Sequence, residues 1–244
     1  MKQKMEGYSD SNAPSFALSW ITSKYFIKRW IWGMMVGTLL VGCQRSSSDE
    51  KQSRVDKLPY FNEANFTPLW LEDGSKEIQL LHQIPAFSLI NQDGEQVTDT
   101  TFKGKVYVAD FFFTSCPGIC PKMTENMSLL QDEFQHDDDV LLLSHSVTPE
   151  TDSVPILKKY AQEHHVTSGK WHLVTGNRDE IYQLGRQAYF IEENLGVQKK
   201  ADEFLHTENF VLVDGNRHIR GIYNGLNKNA IQQLIADIRT LKQE

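Results

Sequence analysis

Two cysteines carry the clearest chemical signal in the sequence. Cys116 and Cys120 stand three residues apart in Phe112-Phe113-Thr114-Ser115-Cys116-Pro117-Gly118-Ile119-Cys120-Pro121. Two closely spaced thiolates either close into a disulfide or chelate a soft metal ion. In a regular helix this i, i+4 spacing would put both sulfurs on one face, one turn apart. Pro117 and Pro121 have no N–H to donate, and proline is tolerated best in a first helical turn. The pattern therefore predicts an irregular loop or distorted first turn, with both sulfurs near a helix N-terminus. Exposed N–H groups and the helix dipole favour thiolate there, and Lys122 adds a positive charge. Two prolines and a glycine at a strand end argue against a buried pair or a structural disulfide.

The flanking segments say what must hold these sulfurs. Residues 106–113 are apolar, β-branched and aromatic, the pattern of a strand buried on both faces. Residues 121–134 carry Met123, Met127, Leu130 and Phe134 at helical spacing. The cysteines thus fall at the C-terminal end of a central strand, the edge where open α/β sheets place their chemistry. Further strands are expected at 85–91, 96–97, 140–147, 171–174, 210–213 and 219–223, with a possible hairpin at 58–71. Asp152 or Ser153 caps a helix that has Pro155 in its first turn and Ile156, Leu157 and Tyr160 as its buried face. A short helix follows at 179–184. A closing amphipathic helix at 230–241 turns Ile231, Leu234, Ile235 and Ile238 to one side. The alternation predicts an α/β, thioredoxin-like fold: a central mixed sheet flanked by helices, with an extra N-terminal hairpin.

A two-thiolate metal site needs a further ligand, and histidine is the natural candidate. Of His82, His136, His145, His164, His165, His172, His206 and His218, most read as solvated or packing residues. His164 and His165 end a helix, where a cation suits the dipole. His145 lies inside an apolar strand, as a hydrogen-bonded core residue. His206 differs: it stands just before the strand that begins near Asn209, at the end of a Glu- and Lys-containing stretch, 188–203, that reads as an exposed loop. In a thioredoxin-like topology that strand lies close to the cysteine edge. A plain dithiol enzyme of this kind has two residues between its cysteines and a later proline opposite them. This chain has three residues there and no proline after Pro155. Asp110, within the central strand, is either a buried polar group with a partner or a proton acceptor for a thiol.

The cysteine motif, together with His206-Thr207 before Phe210-Val211-Leu212-Val213-Asp214, resembles the Sco/SenC family. The similarity runs from about Ile84 to the C-terminus. It takes in Thr148-Pro149-Glu150-Thr151-Asp152 and the strand that ends at Gly176. The resemblance implies a thioredoxin-like protein that delivers copper during assembly of cytochrome c oxidase, with copper held by Cys116, Cys120 and His206. Its partners would be the copper-accepting oxidase subunit and a thiol reductant. It equally permits a thiol–disulfide oxidoreductase that reduces the acceptor's cysteines. Thr148 departs from the family, where many relatives have Asp. Thiolates select Cu(I) and Zn(II) over hard ions; two sulfurs and an imidazole suit trigonal Cu(I), and with an open fourth position also suit zinc. The resemblance tips the choice to copper.

Composition agrees with one globular domain plus extensions: 244 residues, 40% apolar and 23% charged. A net charge of −7 argues against nonspecific nucleic-acid binding. Residues 1–42 read as a signal peptide: Lys24, Lys28 and Arg29 precede an apolar run too short for a comfortable membrane span. The run ends Leu40-Val41-Gly42-Cys43, similar to a bacterial lipobox, so Cys43 is the expected lipidation site; a single transmembrane anchor is the alternative. Residues 43–57 are Ser-rich and charged, a flexible tether, and 58–244 form the domain. The expected location is the bacterial cell envelope, membrane-anchored, with the domain outside the cytoplasm. There an oxidising environment would tend to pair the two remaining cysteines, and a reductant would have to reopen them before copper loads.

Overall fold

A computed structural model describes residues 52–191, 204, 205 and 207–244. Cys43 and His206 lie outside them, as do the expected signal peptide and most of the expected tether. Among the described residues no helix is long and apolar enough to cross a membrane.

The described strands are β1 (Tyr60–Phe61), β2 (Pro68–Leu69), β3 (Ser88–Asn91), β4 (Gln96–Thr98), β5 (Val106–Phe112), β6 (Val140–Ser146), β7 (Trp171–Thr175), β8 (Asn209–Val213) and β9 (Ile219–Asn224). The helices are α1 (Cys120–Glu133), α2 (Val154–Glu163), α3 (Arg178–Gln183) and α4 (Lys228–Leu241), and a π-helical turn, Leu184–Ala188, extends α3. The strands join in one sheet in the order β2-β1-β9-β8-β5-β6-β7-β3-β4. β5, β6 and β7 run parallel, while β8 is antiparallel to β5 with Ala109 opposite Val211. The sheet is mixed and the N-terminal hairpin is present, as the sequence pattern predicts.

Every residue of β5 and β6 is buried, because helices cover both faces of the sheet. Val106, Val108 and Phe112 face α1, α2 and α4, packing with Met123, Met127, Leu157, Leu234 and Ile238. Tyr107, Ala109 and Phe111 face the other way, onto Phe102, Ile181, Leu184 and Tyr189. Burying each large side chain contributes roughly 1.5–3 kcal/mol, so β5 is anchored from both sides and its C-terminal end is a firm platform.

Three departures from the sequence reading concern the fold. The buried face of α2 is Leu157, Tyr160 and Ala161, whereas Ile156 is exposed. The start of the expected exposed loop is core: Ala188, Tyr189 and Ile191 are buried, with the Tyr189 hydroxyl 3.1 Å from that of Tyr107. The π-helical turn causes this by rotating Tyr189 under the sheet, a shift that a 3.6-residue periodicity does not anticipate. Residues 53–57, read as tether, rest on the domain. Ser53 Oγ donates to Asp237 Oδ1 at 2.6 Å and Val55 packs on the core.

Candidate metal centre

β5 delivers the chain to the cysteines. After Phe112 it turns at Thr114, and α1 starts at Cys120, with Pro121 in its first turn as proline's missing N–H allows. Both sulfurs are free thiols. They do not share one environment. Cys116 is half-buried in the turn, while Cys120 is 5% exposed and belongs to the core. The expectation that the prolines keep both cysteines out of the interior therefore holds only for Cys116. Starting the helix at Cys120 carries that side chain inward against the sheet.

Their surroundings shift the two thiols in opposite directions. Partial burial pushes Cys116 up, but the N–H of Cys120, the Cys120 thiol and the N–H groups of Gly118 and Ile119 outweigh it and hold Cys116 below the ordinary thiol value. These donors lie at and just before the start of α1, where backbone N–H groups lack helical partners. Burial, the bond to Cys116, and the charges of Cys116 and Asp110 push Cys120 up to about 12. Lys122, expected to help, spends its charge on Glu125 at 2.7 Å.

Asp110 lies on the same face of β5 as Val108 and Phe112, and so on the side of α1. Burial raises its carboxyl to about 7, the nearby Ser144 hydroxyl opposing this; Ser144 Oγ accepts from Trp171 Nε1 at 2.8 Å. Among the described residues its Oδ1 has no partner. His145, expected to be a core histidine, is one: it is fully buried, stacked on Phe111 at 4.5 Å, with Nδ1 3.3 Å from the Asp110 carbonyl oxygen.

His206 is not described, but its neighbours are. Leu205 is fully buried and Thr207 nearly so, and the Phe204 ring meets that of Phe113 edge-on at 5.3 Å. Because β8 is antiparallel to β5, its start at Asn209 lies beside the end of β5 from which the cysteine turn departs. Among the described residues no third His, Cys, Asp or Glu joins the sulfurs in a group able to hold a metal.

By its position in the sequence, Asp152 is a candidate helix cap. It is instead a fully buried hub. It accepts from Thr114 N (3.2 Å) and Thr114 Oγ1 (2.6 Å) in the cysteine turn, and from Ser146 Oγ (2.6 Å) and Thr148 Oγ1 (3.0 Å). Ser153 is the N-cap residue. The available signal was the run of hydroxyl residues, Thr114, Ser146 and Thr148, at the ends of two adjacent strands.

The sequence model of the SCO1/SenC family matches residues 76–243. The SCO1 protein homolog of Bacillus subtilis is 32% identical over 174 residues, which cover 68% of this chain and 88% of that protein. Among solved structures, BsSco, described as containing a disulfide switch and as a member of the Sco family of cytochrome c oxidase assembly proteins, is 31% identical with a TM-score of 0.57, over 66% of this chain and 94% of that one. A SCO1/SenC family lipoprotein from Bacillus anthracis is 30% identical with a TM-score of 0.56, over 66% and 95%. Arabidopsis thaliana ScoI, solved with copper bound, is 26% identical with a TM-score of 0.52, over 66% and 98%. With the family match spanning most of the domain and the paired thiols at the end of its central strand, this chain belongs to the SCO1/SenC family, whose members include cytochrome c oxidase assembly proteins.

Proposed function

We propose that this protein is a copper carrier. It binds copper through the sulfurs of Cys116 and Cys120 and the imidazole of His206, and passes the ion to the copper-accepting subunit of cytochrome c oxidase. The observation that carries this reading is the Phe113–Phe204 contact, which ties the chain just before His206 to the turn that bears the thiols. The donor set fits: two adjacent soft sulfurs and one imidazole match Cu(I). Copper bound in the Arabidopsis relative supports the same assignment. Both thiols must lose their protons to bind, so loading releases protons and is opposed by the buried Cys120. A ligand on a separate segment suits capture and release, since withdrawing His206 leaves the metal on two sulfurs and open to a recipient.

The test is an anaerobic Cu(I) titration of the reduced soluble domain and its His206→Ala variant. One-to-one binding that weakens about tenfold or more in the variant supports the carrier. Equal binding by both proteins overturns the role of His206.

A second reading is favoured by the division between an accessible, more acidic Cys116 and a buried Cys120: a thiol–disulfide oxidoreductase acting on the acceptor's cysteines. Rapid reduction of a model disulfide, together with copper binding indifferent to His206→Ala, would select it. We further propose that Cys43 is lipidated and anchors the domain at the bacterial envelope; the lipoprotein from Bacillus anthracis supports this. Mass spectrometry of the mature protein decides, since an intact N-terminus without acyl mass contradicts it.

A further inference from the structure

The buried carboxylate of Asp152 holds two loops at once. Thr114 sits two residues before Cys116 and gives Asp152 both its N–H and its hydroxyl, at 3.2 and 2.6 Å. Ser146 and Thr148, from the end of β6 and the loop after it, give the same carboxylate two more hydroxyls. An ionised carboxylate accepts such bonds more strongly than a neutral group does, and burial leaves no water to replace them. Cys120 is fixed independently, as the first residue of α1, so the distance between the sulfurs is set by what holds Cys116. Its turn is short, and Thr114 is where that turn is gripped.

We infer that Asp152 is a positioning residue for the dithiol: through Thr114 it holds the Cys116 sulfur against that of Cys120, ready for metal capture or disulfide closure. This rests on the carrier reading for its copper consequence, but not for its redox one. Closing the disulfide takes two electrons and two protons from the thiols, and glutathione disulfide accepts them to give two glutathiones. The glutathione ratio at the midpoint therefore reports how well the sulfurs are held together.

The test uses the soluble domain with Asp152→Asn, Thr114→Val and Ser146→Ala. Asp152→Asn replaces one acceptor oxygen by a donor. Thr114→Val keeps the branched shape, loses the hydroxyl donor, and serves if Asp152→Asn fails to fold. Ser146→Ala removes a bond to the same carboxylate without touching the cysteine turn. Asp152→Asn and Thr114→Val are expected to lower the effective concentration of the thiols by about tenfold, and Cu(I) affinity by a similar factor. The double variant should be no worse than Asp152→Asn alone. Ser146→Ala should lower Tm and leave the glutathione midpoint where it was. An unchanged midpoint in Asp152→Asn and Thr114→Val, or an equal shift in Ser146→Ala, overturns the inference and makes Asp152 a stability residue only. A wild-type domain that binds no Cu(I) defeats the carrier reading, while the glutathione midpoints still decide the role of Asp152.

Discussion

Leu205 fills the space that Gly185 leaves open. A Cβ at position 185 would stand 2.6 Å from Leu205 Cδ2, 3.1 Å from Ile191 Cδ1 and 3.2 Å from Phe111 Cε1. Ile191 is the last described residue before the stretch 192–203 and Leu205 the second after it, and Phe111 is on β5, just before the cysteine turn. The π-helical turn thus packs one small residue where Ile191 and Leu205 meet the strand that presents the thiols.

Gly185→Ala follows directly. The added methyl has no free volume, because Leu205 and Ile191 are buried, so the variant should lose about 1–3 kcal/mol of stability by overpacking. Leu205 precedes His206, and its displacement should weaken Cu(I) binding severalfold. The glutathione midpoint of Cys116 and Cys120 should stay put, since neither cysteine touches the new methyl. Urea unfolding, copper titration and redox titration check the three outcomes. Unchanged copper affinity in a destabilised variant would separate Leu205 packing from the metal site.

Asp110 and His145 set opposing pH slopes. Burial raises the Asp110 carboxyl from 3.8 to about 7 in the folded protein. Below 3.8 both states hold the proton and its contribution to stability is complete. Between there and about 7 the unfolded chain has lost the proton while the folded chain keeps it, so stability falls as pH rises. Above 7 the contribution is gone. The span corresponds to about 4 kcal/mol. His145 is depressed by burial from 6.5 to about 4. Its contribution is complete above 6.5 and is lost as pH falls towards 4. Asp110→Asn removes only the first slope. The stability of Asp110→Asn minus that of wild type, from urea unfolding, should therefore grow from pH 4 to pH 7 by an amount on the order of 4 kcal/mol. A difference that does not vary with pH contradicts the buried, protonated Asp110.

Much of the fold was legible because buried strands advertise themselves. Asp110 apart, β5 is an unbroken apolar run, as is Val140–Leu143 of β6, and both strands are covered on two faces. The dithiol was legible from residue type and spacing alone. Less visible was anything that depends on contacts between distant segments. Asp152 looks like an N-terminal helix residue, and only the approach of Thr114 makes it a hub. Likewise Ile156 has the right spacing for a core face of α2 but points away from the sheet, because the helix is rolled towards Leu157 and Tyr160. Lys122 looks like a cation for the thiols, yet one turn on the same helix supplies Glu125 to neutralise it.

Unequal thiols predict unequal reactivity. Thiolate is the nucleophile, and its yield depends on acidity and access together. Cys116 is half-buried rather than enclosed, and N–H groups at and just before the start of α1 hold it below the ordinary thiol value. Cys120 is 5% exposed and burial pushes it up to about 12, which favours the protonated form at neutral pH. Limiting iodoacetamide at pH 7 should therefore label Cys116 at least about tenfold faster than Cys120, as peptide mapping would show. Cys116→Ser should make alkylation slow. Cys120→Ser should leave Cys116 reactive, since the nearby N–H groups remain and a hydroxyl is at least as good a donor as a thiol. One equivalent of Cu(I) should protect Cys116 in the wild type. Equal labelling of both cysteines, or faster labelling of Cys120, would contradict Cys116 as the more acidic and accessible thiol and leave the start of α1 without its proposed electrostatic role.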